Sequence, residues 1–216
     1  MILSKMNNLN FKTFETDGVA RLGQLKTANG IIDTPAFMPV GTSATVKAMT
    51  PEAVEDTGAQ IILGNTYHLM LRPGADRVKK LGGIHKFMNW KKPILTDSGG
   101  YQILSLSKLR KINEKGAVFR SHIDGSSYEL TPESSVIIQQ KLGSNITMVL
   151  DECTPFPSSQ EEAKRSMLRS MRWAARSKSA FIPKSGYGVF GIVQGSIYPE
   201  LRAESISLLR DIGFDG

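Results

Sequence analysis

The sequence predicts an α/β protein built on a parallel sheet, and three observations carry that expectation. Short apolar runs at 36–40, 60–63, 93–96, 146–150 and 189–193 read as buried strands. Helix-start signals lie between them, so strand and helix alternate along the chain. The runs are apolar almost throughout, which points to a sheet covered on both faces. A closed barrel and a doubly wound open sheet both satisfy this pattern.

Each element has its own local justification. Residues 11–32, with expected turn glycines at Gly18, Gly23 and Gly30, read as antiparallel strands capping one end. Helix starts follow at Thr50 before Pro51, Thr131 before Pro132, Ser159 three ahead of Glu162, and Pro199. Between Phe119 and Leu130, Asp124-Gly125 joins two strand-like stretches and predicts an inserted β-hairpin. No repeat, low-complexity tract or linker divides the chain, so residues 1–216 read as a single domain. The last helix ends at Gly213. Because eight-stranded barrels take roughly 250 residues, five strands in this length predict that about three β/α units are missing.

Composition narrows the class. At 40% hydrophobic and 22% charged residues, the chain can bury a core like an ordinary globular protein. Its net charge of +7 suits a polyanionic partner. The single cysteine, Cys153, excludes an internal disulfide and a Cys-x-x-Cys zinc pair, and fits a cytoplasmic location. Residues 1–14 contain no leader-like apolar stretch, and no run is apolar for eighteen residues, so no membrane partner is expected.

Four polar residues directly follow the strand runs: Asn65, Asp97, Asp151 and Gln194. In parallel α/β folds these ends form the ligand site, so the four side chains are expected to share one pocket. In Asp97-Ser98-Gly99-Gly100-Tyr101-Gln102, two glycines behind a carboxylate allow backbone to approach a flat ligand on which Tyr101 can stack. A turn is the plainer explanation of that motif taken alone. Asp151, at the end of an apolar run, needs donors. A guanine edge offers two adjacent N–H groups, and an internal arginine is the alternative. Gln194 can donate to a purine carbonyl or simply satisfy nearby backbone. Cys153 has no evident base and reads as a small buried residue, while His68, His85 and His122 read as scattered structural or surface residues. Arg165, Arg169, Arg172 and Arg176 form a helical stripe, a solvated face that also permits phosphate contact.

Several motifs together resemble the bacterial tRNA-guanine transglycosylases: Pro35-Ala36-Phe37-Met38-Pro39-Val40-Gly41-Thr42, Gly64-Asn65-Thr66-Tyr67-His68-Leu69, Thr96-Asp97-Ser98-Gly99-Gly100-Tyr101-Gln102 and Gly191-Ile192-Val193-Gln194-Gly195. The resemblance runs through essentially the whole chain from Phe11. It implies a (β/α)8 TIM-type barrel, here incomplete, with an N-terminal antiparallel β cap and a β-hairpin insertion. It implies replacement of guanine at the wobble position of tRNAs with a GUN anticodon by 7-aminomethyl-7-deazaguanine, for queuosine, through a covalent ribosyl-enzyme intermediate. By the same resemblance Asp97 is the general acid/base and Tyr101 stacks on the purine. Asp151 and Gln194 read its edge, and Ser98, Gly99, Gly100 and Asn65 line the pocket. The family's later nucleophilic Asp and its zinc-binding Cys/His cluster have no counterpart, so the chain alone is expected to be inactive and to hold no metal. A homodimer is implied for the complete enzyme.

Three other readings compete. A non-catalytic base- or RNA-binding subunit of the same fold does not need the Asp97 carboxylate. An unrelated barrel enzyme acting on a phosphorylated metabolite would use a phosphate loop after later strands. An archaeosine-type exchange enzyme would carry further RNA-binding domains.

Overall fold

The computed structural model describes residues 9–106 and 110–216, so most of the leader-free segment expected at 1–14 lies outside the described residues. Three strands open the chain, β1 (Asn10–Asp17), β2 (Ala20–Thr27) and β3 (Gly30–Thr34), forming an antiparallel sheet in the order β1-β2-β3. This is the expected cap, with one correction: Gly23 lies inside β2 rather than in a turn. Its role is close approach, because a Cβ there would stand 2.6 Å from the Lys12 carbonyl and 2.7 Å from the Phe11 ring. Gly18, with φ +58°, does make its turn.

The alternating part follows as β4 (Val40–Gly41), α1 (Pro51–Asp56), β5 (Ile62–Gly64), α2 (Thr66–Leu71), α3 (Ala75–Lys80), α4 (Ile84–Phe87), β6 (Ile94–Thr96) and α5 (Gly100–Leu106). A small antiparallel sheet then intervenes, β7 (Arg110–Ile112), β8 (Ala117–Arg120) and β9 (Ser127–Leu130). The expected hairpin is its β8–β9 half. The chain resumes with α6 (Pro132–Leu142), β10 (Ile146–Met148), α7 (Gln160–Ala180), β11 (Gly188–Phe190) and α8 (Pro199–Ile212).

Five strands form one parallel sheet in the order β11-β10-β6-β5-β4. Each strand lies beside the previous strand of the same sheet, so all five C-terminal ends fall on one edge. The strands are shorter than their apolar runs. Val149 and Leu150 stay buried beyond β10, because burial outlasts ladder pairing where the chain turns into its loop. Alternation along the strands separates two cores. Ile62 and Ile94 face the helices with Val54, Val78 and Ile84. Leu63, Leu95, Ile146 and Met148 face the other way, packed with Leu25 and Ile32 of the cap.

Start chemistry holds where it was expected. The Thr50 side chain caps α1, Thr131 and Ser159 form capping boxes on α6 and α7, and Pro199 opens α8. Helices α2, α3 and α4 are 6, 6 and 4 residues long, too short to show a helical period in sequence. Among the described residues no helix is long and apolar enough to cross a membrane.

One fully buried side chain ties the sheet edge to α6. Gln139 Nε2 donates to the Met148 carbonyl at 2.8 Å and to Ser135 Oγ at 3.1 Å. Its Oε1 accepts from Met148 N at 2.9 Å and from Thr96 Oγ1 at 3.0 Å. Ser135 Oγ in turn donates to the Ser98 carbonyl at 2.8 Å, so the loops after β6 and β10 share one anchor. Gln139→Leu is expected to lower stability by about 2–4 kcal/mol, since it strands several buried polar groups. Urea unfolding measures this, and an unchanged midpoint would show that the anchor contributes nothing.

Candidate active site

Asp97 follows β6 and is held by donors from two short helices. Its Oδ1 accepts from Thr66 N at 2.8 Å, and its Oδ2 accepts from Gln102 Nε2 at 2.8 Å and from Asn65 Nδ2. Asn65 sits at the N-cap of α2 without capping it, which leaves its amide free for the carboxylate. Burial pushes the Asp97 pKa above the ordinary carboxylate range, although the Asn65, Thr66, Gln102 and Gly99 hydrogen bonds oppose the shift. The result is a carboxyl group that takes and releases a proton more readily near neutral pH than a free aspartate.

Asp151 lies three residues past β10 and is only 8% exposed. Ser98 Oγ donates to its Oδ1 at 3.1 Å, Gln194 Nε2 to its Oδ2 at 2.7 Å, and the Cys153 thiol to Oδ2 at 3.6 Å. Burial raises its pKa as well, and the nearby Asp97 charge adds to the rise. None of the ion pairs among the described residues involves it, so the internal arginine that would explain a buried carboxylate is not there. Its neighbour is a glycine of necessity: a Cβ on Gly100 would stand 2.6 Å from the Asp151 carbonyl and 2.8 Å from its Oδ1.

The structure thus brings Asn65, Asp97, Ser98, Gly99, Gly100, Asp151 and Gln194 to one edge of the sheet. Gly99 takes φ +89° against the Tyr67 backbone, and Gln194 N is fixed by Ser205 Oγ at 3.0 Å. Tyr101, in the first turn of α5, is 65% exposed, its ring unburied at the rim. A cleft of about 540 Å³ lies elsewhere, between residues 35–39 and α1, and none of these residues lines it. At the carboxylates the Gln194 amide lies on Asp151.

Sequence reasoning missed Gln102 and the Thr66 amide as holders of Asp97. Thr66 acts through its backbone, which carries no sequence signal, whereas Gln102 stood in the quoted motif without a role. Two of the histidines lie closer together than their sequence positions suggest. His68 and His122, far apart in sequence, meet at Tyr67: the Tyr67 hydroxyl is 3.0 Å from His122 Nδ1, and the two imidazoles are 5.6 Å apart. Burial and the neighbouring His122 lower the His68 pKa. The arginine stripe of α7 also reads differently in three dimensions. Arg169 pairs with Glu152 at 2.8 Å, Arg172 with Glu114 at 2.7 Å and Arg176 with Glu133 at 2.7 Å, which leaves little charge for phosphate.

Cys153 is only partly buried, not the small buried residue that was expected, but it lacks the setting of a nucleophile. Burial and the Asp151 and Glu152 charges push its pKa up to about 12, so almost no thiolate forms near neutrality. Alkylation by iodoacetamide at pH 8 is expected to be at least ~100-fold slower than for a free cysteine. Asp151→Asn should speed it. A free-cysteine rate in the unsubstituted protein would contradict this placement.

Comparison with known proteins fits this arrangement. A model of the family described as Queuine tRNA-ribosyltransferase matches residues 16–216. A queuine tRNA-ribosyltransferase of Rickettsia akari (strain Hartford) is 60% identical over 211 residues, covering 98% of this chain and 58% of that protein. One from Granulibacter bethesdensis is 63% identical over 195 residues, covering 90% and 52% respectively. One from Rickettsia bellii (strain RML369-C) is 63% identical over 197 residues, covering 91% and 55%. The chain therefore spans just over half the length of these relatives, and by both measures it belongs to the queuine tRNA-ribosyltransferase family.

Proposed function

We propose that the chain carries the base-recognition and proton-transfer part of a guanine-exchange site on tRNA. One observation carries the reading: a buried carboxylate, Asp151, with no ion-pair partner among the described residues, held by the Ser98 hydroxyl, the Cys153 thiol and the Gln194 amide beside a glycine-lined wall. A guanine edge presents two adjacent N–H donors, the complement of such a carboxylate. On binding, Gln194 leaves Asp151 and turns its amide to the purine carbonyl. Ser98, Gly99 and Gly100 form the wall, and Tyr101 covers the exposed face of the base, a contact worth on the order of 1–3 kcal/mol in other base-aromatic stacks.

Asp97 is the general acid/base in this reading. Its raised pKa suits moving a proton to the departing guanine and from the incoming base, 7-aminomethyl-7-deazaguanine. Asn65 and Gln102 orient it. Attack on the ribose C1′ needs a further carboxylate, as in retaining glycoside chemistry. Asp151 and Asp97 are both committed to the base, so residues 1–216 alone bind the base without turnover. The sheet order supports a (β/α)8 barrel over a doubly wound sheet, since every strand lies next to its predecessor and the order never reverses. The cap closes one end, and the chain forms a single domain within that barrel.

The partners in this reading are tRNA with a GUN anticodon and a second copy of the complete enzyme, in the cytoplasm. The zinc implied by the family does not fit these residues. Among the described residues no group of three or more His, Cys, Asp or Glu is placed to hold a metal ion.

The test is incorporation of radiolabelled guanine into tRNA by the full-length protein. Asp97→Asn is expected to cut turnover by about 10²–10⁴-fold, the usual range for a general acid/base, while guanine still binds. Near-normal exchange by that variant would sink the assignment.

A further inference from the structure

Helix α2 holds Asp97 through its first turn, yet that turn lacks the usual means of being fixed. The Asn65 side chain is given to the carboxylate and makes no cap bond, and the helix is 6 residues long. An uncapped helix of that length is not stable by itself, so its position has to come from tertiary contacts. Tyr67 supplies them. It directly follows Thr66, whose N–H donates to Asp97 at 2.8 Å, and its fully buried ring packs on Phe119 with 5.4 Å between centroids. Its backbone also backs the glycine wall, since a Cβ on Gly99 would stand 3.6 Å from Tyr67 N.

The phenol of this buried side chain meets an exposed residue in the turn between β8 and β9. Tyr67 Oη lies 3.0 Å from His122 Nδ1, and the two rings stack at 5.5 Å with 19° between their planes. Burial raises the Tyr67 pKa, opposed in part by the His122 backbone, so the hydroxyl keeps its proton and needs an acceptor. The turn that presents His122 is closed on itself. Ser121 N donates to the Ser126 carbonyl at 2.8 Å, Gly125 N to the Ser121 carbonyl at 2.9 Å, and Ile123 N to Ser121 Oγ at 3.1 Å. Its charged groups are engaged nearby, Asp124 accepting from Ser126 N and Arg120 donating to the Gly125 carbonyl. From α2, His68 lies edge-on to both rings, its pKa lowered by burial and by His122 against the pull of Asp97. Asp97 itself faces Asp151.

We propose that His122 is a positioning residue for the Asp97 carboxyl group: by holding the Tyr67 hydroxyl, it fixes the first turn of α2, from which Asn65 and Thr66 grip the carboxylate. The inserted hairpin thereby reaches the site through one buried side chain, without touching a substrate. When the hydroxyl is released, the turn shifts and the Asn65 and Thr66 bonds lengthen. Those bonds oppose the effect of burial on Asp97, so weakening them makes the carboxyl group titrate at higher pH. The acid/base role of Asp97 rests on the proposed function, whereas its coupling to His122 does not.

The experiment follows the Asp97 carboxyl NMR signal across pH in isotope-labelled full-length protein, assigned by its loss in D97N. H122A and Y67F are each expected to move its inflection about one pH unit upward, the effect of losing most of one charge-assisted hydrogen bond. The double variant should move it no further than either single variant. H122N, whose Oδ1 can stand where Nδ1 does, should restore the original inflection. F119L removes packing from the same ring and no hydrogen bond, so it should lower the melting temperature and leave the inflection in place. Guanine exchange on tRNA gives the second readout. There H122A should lose about tenfold in kcat with the KM for guanine within about twofold, and its acidic limb should move upward with the NMR inflection. An unchanged inflection in H122A or Y67F, additive shifts in the double variant, no restoration by H122N, or an equal shift in F119L overturns the proposal. If the inflection moves as expected while kcat does not follow it, the acid/base role of Asp97 falls and the positioning role stands.

Discussion

A carboxylate buried at the C-terminal edge of a parallel sheet, with no ion-pair partner among the described residues, is the constraint on which this site depends. Taking an ionised carboxylate out of water is costly, and hydrogen bonds alone compensate Asp151. Ser98, Cys153 and Gln194 come from the ends of different strands, so the stability of the carboxylate requires those ends to converge. The same convergence leaves Gly100 no room for a side chain. Asp97 adds a second carboxyl group, itself desolvated, and its charge raises the cost of ionising Asp151. Such a pair weakens a fold that has no ligand to satisfy it, which supports the proposed role of this position.

The scaffold explains how the arrangement is held. Gln139 bonds the backbone of β10 and the Thr96 hydroxyl on β6 from outside the sheet, and Ser135 extends that grip to Ser98. The cap fills the opposite end with Leu25 and Ile32. One end of the sheet is thus packed with apolar side chains and the other holds the polar groups of the proposed site. This division is the usual one in parallel α/β folds, where strand C-termini serve chemistry.

Much of this was legible in the sequence. The five strands, the capping residues Thr50, Thr131, Ser159 and Pro199, and the placement of Asn65, Asp97, Asp151 and Gln194 after strand runs all follow from local patterns. What stayed hidden is tertiary. The contact of Gln194 with Asp151 spans 43 residues and that of Asn65 with Asp97 spans 32, and no periodicity encodes either. His68 and His122 looked scattered because a hairpin brings them together around Tyr67. The α7 arginines read as a solvated face that permits phosphate contact, and their ion pairs stayed hidden because Glu114, Glu133 and Glu152 lie in other segments. Gly23 was misread because a glycine required for close approach inside a strand has the same signature as a turn glycine.

The central claim is that Asp151 is a receptor for a purine edge and not a structural oddity. Its raised pKa gives that claim a sign. Two N–H donors from guanine stabilise the ionised form, so binding favours the carboxylate and releases a proton wherever Asp151 is protonated beforehand. The decisive measurement is guanine affinity by isothermal titration calorimetry from pH 8 down to pH 4.5, with Asp151→Asn alongside. The account predicts affinity that falls about tenfold per pH unit once the pH drops below the raised pKa, with proton release on binding, and a variant that binds weakly at every pH. Guanine binding that is undiminished in Asp151→Asn would contradict it.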